Sequence, residues 1–205
     1  MRHRYNITIY LDMDDVICKF TEKFKNLALQ DNYEIKENEN KNYDFFIKCI
    51  KNYDIFENLI PSDDLKYLID NIKRIVEEYN INDFEFLTSL GTTDIGLHHI
   101  IKCQKYSWLR KHNLKFMNVN FVSRAKEKIF FKPNYNILID DREDTINRWN
   151  NFYNLKDKYS FLPNTIDIEN TGILYSYKDD INKLFKKLEK TVIKLIRLQY
   201  MEQYL

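Results

Sequence analysis

Five short apolar runs decide most of what this chain can fold into: Ile7 to Leu11, Phe84 to Leu87, Val119 to Val122, Ile137 to Ile139 and Ile173 to Tyr177. Each is rich in β-branched or aromatic residues, and each is separated from the next by helical periodicity or a polar loop. Continuous apolar runs of this length suit strands covered on both faces, so the pattern predicts an α/β fold built on a parallel five-stranded sheet. Leu65, Leu68, Ile69, Ile72 and Val76 recur at helical spacing after Pro61-Ser62-Asp63-Asp64, with Ser62 as the expected N-cap. Leu97, Ile100, Ile101, Trp108 and Leu109 mark a second helix. Ile146, Trp149 and Phe152 mark a short one opened by Asp144, and Asp179 to Tyr204 reads as a long amphipathic helix.

The stretch from Phe20 to Phe56 breaks this alternation. It is rich in Lys, Asn, Glu and aromatics, and the run from Lys36 to Asn42 reads as a solvated loop. A small, mainly helical insertion directly after the first strand would lie over that strand's carboxyl end, where open α/β sheets bind ligands. The expected division is a core of residues 1–19 and 76–205 and a cap of residues 20–75. With 32 Lys and Arg against 31 Asp and Glu, the net charge is +1, which argues against extended nucleic-acid binding and fits a small charged substrate. Three scattered cysteines, Cys18, Cys49 and Cys103, suit buried thiols in a reducing compartment. The N-terminal apolar run breaks at Asp12, too short for a signal peptide or membrane span, so a cytoplasmic location with no membrane association is expected.

The first strand runs straight into Asp12-Met13-Asp14-Asp15. Crowded carboxylates raise one another's pKa unless a cation or hydrogen bonds compensate, so the cluster points to a metal or a proton-transfer role. Capping by Asp14 or Asp15 would explain this cluster taken alone. Ile137-Leu138-Ile139-Asp140-Asp141-Arg142 repeats the design of strand followed by acids. Two such strand ends in one parallel sheet can converge, and hard oxygen ligands from two loops suit Mg²⁺. An Asp141–Arg142 ion pair with Asp140 capping the next turn is the bland alternative. Between the clusters, Phe84 to Leu87 ends in Thr88-Ser89, hydroxyls able to hold phosphate oxygens. Arg124, Lys126, Lys128 and Lys132 supply candidate cations ahead of the second cluster, and most such lysines are solvated. His98-His99 has no evident ligand partner, and no metal role is expected of it.

In this order, these features resemble the haloacid dehalogenase superfamily of phosphatases, and more closely its 5'(3')-deoxyribonucleotidase-like branch. Asp12-Met13-Asp14-Asp15-Val16 looks like the D-x-D-G-[TV] motif, with Asp15 in place of the usual glycine. Thr88 resembles the second-motif hydroxyl and Asp140-Asp141 the acidic fourth motif. The branch similarity adds Phe20 as an aromatic lid residue, Phe56 to Pro61, Lys105-Tyr106-Ser107-Trp108-Leu109 and Leu138 to Arg142. Ser123-Arg124-Ala125-Lys126 resembles the [TS]-R-x-K pattern, making Lys126 the expected third-motif lysine and Lys128 its competitor.

The resemblance implies a Rossmann-like core and a Mg²⁺-dependent phosphomonoesterase acting through an aspartyl-phosphate on a nucleotide or similar small phosphate. Asp12 would be the nucleophile and Asp14 the acid and base, with Thr88 and Lys126 stabilising charge and Ser89 and Phe20 contacting substrate. Mg²⁺ would be held by Asp12, the backbone carbonyl of Asp14 and Asp140, with Asp141 one contact further out. Phe20 could stack on a base, while Phe45 and Phe46 read better as lid core. A phosphatase of polynucleotide ends and an inactive binding protein are the competing readings.

Overall fold

The computed structural model describes residues 4–37, 39–132, 135–152 and 170–202. Five strands form one sheet: β1 (Tyr5–Leu11), β2 (Ile81–Ser89), β3 (Val119–Val122), β4 (Ile137–Asp140) and β5 (Gly172–Leu174), in the order β3-β2-β1-β4-β5. Every neighbouring pair is parallel, with Ile9 beside both Phe84 and Ile137 and Leu11 beside both Phe86 and Ile139. This is the α/β class and the five-stranded parallel sheet that the apolar runs predict.

The period-two alternation of each strand divides the core between the two faces of the sheet. Ile9, Leu11, Phe84, Phe86, Ile137 and Ile139 join the larger buried cluster. Tyr10, Leu87, Val122 and Leu138 project into a smaller one, closed by Ile146 and Trp149. The helices are α1 (Phe20–Gln30), α2 (Tyr43–Tyr53), α3 (Leu65–Glu78), α4 (Ile95–Lys111), α5 (Glu143–Asn150) and α6 (Ile181–Glu202), with a 3₁₀ turn at Glu39–Asn42 and a 3₁₀ helix at Ala125–Phe131. Among the described residues no helix is long and apolar enough to cross a membrane.

Several local expectations change. The last strand stops at Leu174, short of Tyr177, because the chain beyond it crosses toward the β1 loop, where the Tyr177 N–H donates to the Asp15 carbonyl at 3.0 Å. Ser62 does not cap α3 through its side chain: its hydroxyl is buried without a hydrogen-bond partner, and its carbonyl accepts from Leu65 N–H instead. The Lys36–Asn42 run is not wholly solvated. Asn42 is buried and closes the loop by accepting from Lys36 N–H at 2.9 Å and donating to its carbonyl at 2.8 Å. Asn38 of that run and Tyr204 of the tail helix lie outside the described residues. Cys18 and Cys49 are buried, but Cys103 is exposed.

α3 packs on β2 and on α6, with Tyr67 edge-on to Phe185 and Arg74 paired with Glu189 at 2.8 Å. Most of α3 falls in residues 20–75, so that part of the expected cap lies against the core layers. The segment of α1, α2 and the loop to Pro61, called the lid, sets Phe20, Phe24, Tyr43, Phe46 and Phe56 around a cavity shared with Asp12, Asp14 and Ser89 at the carboxyl edge of the sheet. Its interior is aromatic: Phe45 stacks on Tyr33 at 4.2 Å and meets Phe24 edge-on, while Phe46 meets Phe20 and Phe56 edge-on.

Candidate active site

The strand order places the site. The chain moves outward from β1 to β2 and β3, then crosses back to the other side of β1 to lay down β4 and β5. The direction of winding therefore reverses between β1 and β4, which opens a crevice at their carboxyl ends. Asp12 leaves β1 and Asp140 ends β4, so the two acid clusters flank that crevice. The Asp12 N–H, bonded to the Ile139 carbonyl at 2.9 Å, fixes their register. A cavity of about 720 Å³ lies there, lined by Asp12, Asp14, Asp15, Asp141 and Lys128 on the core side and by lid aromatics above.

Lys128 is the hub. It is fully buried, with Nζ 2.8 Å from Asp12 Oδ1 and 2.6 Å from Asp140 Oδ2. The approach to Asp140 is an aligned hydrogen bond, whereas that to Asp12 is a close charge contact without hydrogen-bond geometry, and Asp12 Oδ1 remains without a hydrogen-bond partner. Burial alone would lower the lysine's pKa, but Asp12 and Asp140 outweigh it and hold the ammonium charged. Asp140 Oδ1 accepts from Arg142 N–H at 2.9 Å, so Asp140 serves both the cluster and the following turn. Burial raises the Asp140 pKa, opposed by Lys128. Asp141 is pushed up to about 8 by burial and then by the charges of Asp12 and Asp140. Arg142 pairs with Asp144 at 3.2 Å.

This corrects the choice of lysine: Lys126 is exposed and Lys128 enters the site. The 3₁₀ helix over Ala125–Phe131 explains it, because three residues per turn bring Ala125 and Lys128 to one side, and both line the cavity. Lys132 is buried at Thr171 and Trp149, away from the acids.

A second buried lysine belongs to the site. Lys105 Nζ donates to Asp14 Oδ2 at 2.7 Å and to the Thr88 hydroxyl at 2.8 Å, and lies 4.6 Å from the centre of the Phe56 ring. Burial raises the Asp14 pKa to about 6; Lys105 pulls it down and Asp12 pushes it up. Lys105 falls in the Lys105-Tyr106-Ser107-Trp108-Leu109 resemblance, which by itself assigns it no role. The signal was present, since Ile101, Lys105 and Leu109 are spaced by four, so a lysine interrupts the buried stripe of α4. Gln104 beside it donates to the Ile50 carbonyl at 2.8 Å and to Asp54 Oδ1 at 3.0 Å, tying α4 to the lid.

Thr88 is fully buried at the end of β2, beside Lys105. Ser89 lines the cavity, its hydroxyl accepting from Gly91 N–H at 3.0 Å. Phe20 also lines the cavity, packed parallel to Phe24 at 5.9 Å and to Phe56 at 5.4 Å. His98 Nε2 lies 2.9 Å from the Thr92 carbonyl and His99 lies beside Cys103, both away from the acids.

Among the described residues, Asp12, Asp140 and Asp141 each offer an oxygen within 4.8 Å of the others'. Asp12 Oδ1 is buried, in charge contact with Lys128 and without an aligned hydrogen bond. This hard-oxygen donor set fits Mg²⁺. Asp14 is outside that side-chain set, its Oδ2 bonded to Lys105.

No protein-family model matches the chain, and no curated protein matches it. Among solved structures it is similar to a candidate haloacid dehalogenase-like hydrolase from Burkholderia xenovorans LB400, with 10% identity and a TM-score of 0.38 over 86% of this chain and 99% of that one. A likeness at that level carries no functional argument. The chemistry must be read from the site itself.

Proposed function

We propose that the protein is a Mg²⁺-dependent phosphomonoester hydrolase of the haloacid dehalogenase type, acting through an aspartyl-phosphate on a nucleotide or similar small phosphate. The observation that carries this reading is the different setting of two neighbouring carboxylates. Asp12 lies against Lys128 within the acid cluster that could hold a metal, whereas Asp14 lies outside that cluster, held by Lys105 and with its pKa raised to about 6 by burial. Two neighbouring carboxylates, one on a buried ammonium beside the other acids and one set apart with a raised pKa, form the arrangement that divides nucleophile from proton carrier.

In the proposed reaction an Asp12 carboxylate oxygen attacks phosphorus in line, and the bond to the leaving alcohol breaks as Asp14 gives that oxygen its proton. Asp14, now ionised, takes a proton from water as the water attacks the aspartyl-phosphate, which releases phosphate and restores Asp12. Lys128 holds the attacking carboxylate in place, and the fully buried Thr88 hydroxyl accepts from Lys105 and so helps hold that lysine against Asp14. Asp12, Asp140 and Asp141 would hold Mg²⁺, which when bound offsets the repulsion between carboxylates and phosphate. The cavity volume of about 720 Å³ falls in the range of small-ligand sites and supports a small substrate over an extended polymer.

The test is phosphate release with Mg²⁺ from nucleoside monophosphates, sugar phosphates and phosphorylated oligonucleotides, comparing wild type with Asp12→Asn. Wild type should hydrolyse members of the first two classes, and the variant should lose at least about 10³-fold in rate. A wild type inert toward the whole panel would sink the phosphatase reading. Preference for oligonucleotide ends would replace the small-substrate reading and leave the chemistry intact.

A further inference from the structure

Asp15 has no step in the proposed reaction, yet its backbone is at φ 55°. That left-handed region strains any residue other than glycine, aspartate and asparagine least. The strain is held in place because every polar group of Asp15 grips a different segment. Its N–H donates to the Cys18 carbonyl at 2.8 Å, and its carbonyl accepts from Tyr177 N–H at 3.0 Å. Its carboxylate accepts from Thr21 N–H at 3.0 Å and from the Thr21 hydroxyl.

The last contact matters most, because α1 lacks a cap of its own. The residue at its N-cap position, Lys19, makes no side-chain cap hydrogen bond, and Thr21 is the second residue of the helix. An orphan N–H of the first turn is thus satisfied by the loop that carries Asp12 and Asp14. The same helix presents Phe20 and, one turn on, Phe24 to the cavity, where they pack in parallel as its apolar wall. One carboxylate therefore joins the nucleophile loop to the lid.

We propose that Asp15 is a positioning residue that couples lid to nucleophile loop: by capping α1 it sets where the aromatic wall stands over Asp12 and Asp14, and so the fit of the leaving group. The role in substrate fit rests on the phosphomonoesterase reading; the grip on α1 does not.

Asp15→Gly and Asp15→Asn test it. The glycine variant relieves the backbone strain and removes the carboxylate, while the asparagine variant keeps tolerance for the left-handed backbone and one acceptor oxygen. Amide hydrogen exchange at Thr21 should quicken about fivefold to tenfold in Asp15→Gly, the size expected for a lost cap, and lie nearer wild type in Asp15→Asn. With a nucleoside monophosphate, KM should rise about fivefold to tenfold in Asp15→Gly, outweighing any loss in kcat, with most of the rise recovered in Asp15→Asn. Unchanged exchange at Thr21, a fall in kcat with KM intact, or no recovery with asparagine would each overturn the proposal. An inert wild type would count against the phosphomonoesterase reading, and the exchange comparison would still decide whether Asp15 holds α1.

Discussion

At the scale of single residues, two buried lysines divide the acids between them. Lys128 binds the Asp12–Asp140 pair, and Lys105 binds Asp14. Removing Lys128 leaves two buried carboxylates facing each other, so Lys128→Met should cost about 3–5 kcal/mol in stability and about 10² or more in rate. Lys126→Ala, at an exposed position, should stay within about 0.5 kcal/mol of wild type. Urea denaturation and phosphate-release rates would separate them, and equal losses would contradict the assignment of Lys128. For Lys105→Met the expected effect is on pH. Lys105 lowers the Asp14 pKa from where burial would put it, so its loss should raise that pKa above about 6. In the proposed reaction the protonated form of Asp14 serves the leaving group, so kcat/KM should fall as pH rises through this pKa, and the descending limb should move to higher pH in the variant. A limb that stays put or moves down would deny Asp14 this role. From sequence alone, Lys128 stands only as the competitor of Lys126 and Lys105 has no role, because helix pitch and burial distinguish them and composition does not.

At the scale of elements, two contacts between the lid and the loop after β2 can be tested singly. The Tyr43 hydroxyl lies 2.6 Å from the Thr92 hydroxyl, linking α2 to the loop between β2 and α4. In that loop Gly91 has φ 71°, and a Cβ there would lie 3.2 Å from the Phe46 ring. Gly91→Ala should therefore destabilise by roughly 1 kcal/mol or more, through its left-handed backbone and through pressure on Phe46. Tyr43→Phe removes one hydrogen bond and should cost about 1 kcal/mol, with exchange quickening first in α2. If either variant matches wild type in thermal denaturation, these contacts do not hold the lid. The elements themselves were largely legible, since alternation and helical spacing survive in the strands and in α3, α4 and α6. The place of the insertion after β1 was legible too, but its internal order was not, because that comes from aromatic packing among Phe20, Phe24, Phe45, Phe46 and Phe56, which has no period in sequence.

At the scale of the whole molecule, the site takes carboxylates out of water, with mutual repulsion added, and folding must overcome that cost. Asp14, Asp140 and Asp141 all have folded pKa values above the ordinary carboxylate range, Asp141 at about 8. Between an unfolded pKa near ~4 and those folded values, the native state binds more protons than the unfolded chain, so stability falls as pH rises through that window. Without added metal, Tm should therefore drop from pH 5 to pH 8. Mg²⁺ should raise Tm more at pH 8, where the carboxylates are ionised and free to bind, than at pH 5. Asp141→Asn should flatten the drop. A Tm indifferent to Mg²⁺ at both pH values would remove the metal from the site.

By itself the sequence determined the class of fold and the two acid loops, because strand periodicity and the clustering of like charges are local properties that each segment carries wherever it lies. It also left Asp15 as a candidate cap, standing where the resemblance has glycine. Only the tertiary structure decided that β1 and β4 lie side by side at the reversal of winding, that Lys128 displaces Lys126, that Lys105 meets Asp14 and that Asp15 caps α1. Those are contacts between segments distant in the chain or choices of helix face, and they are fixed by burial and topology.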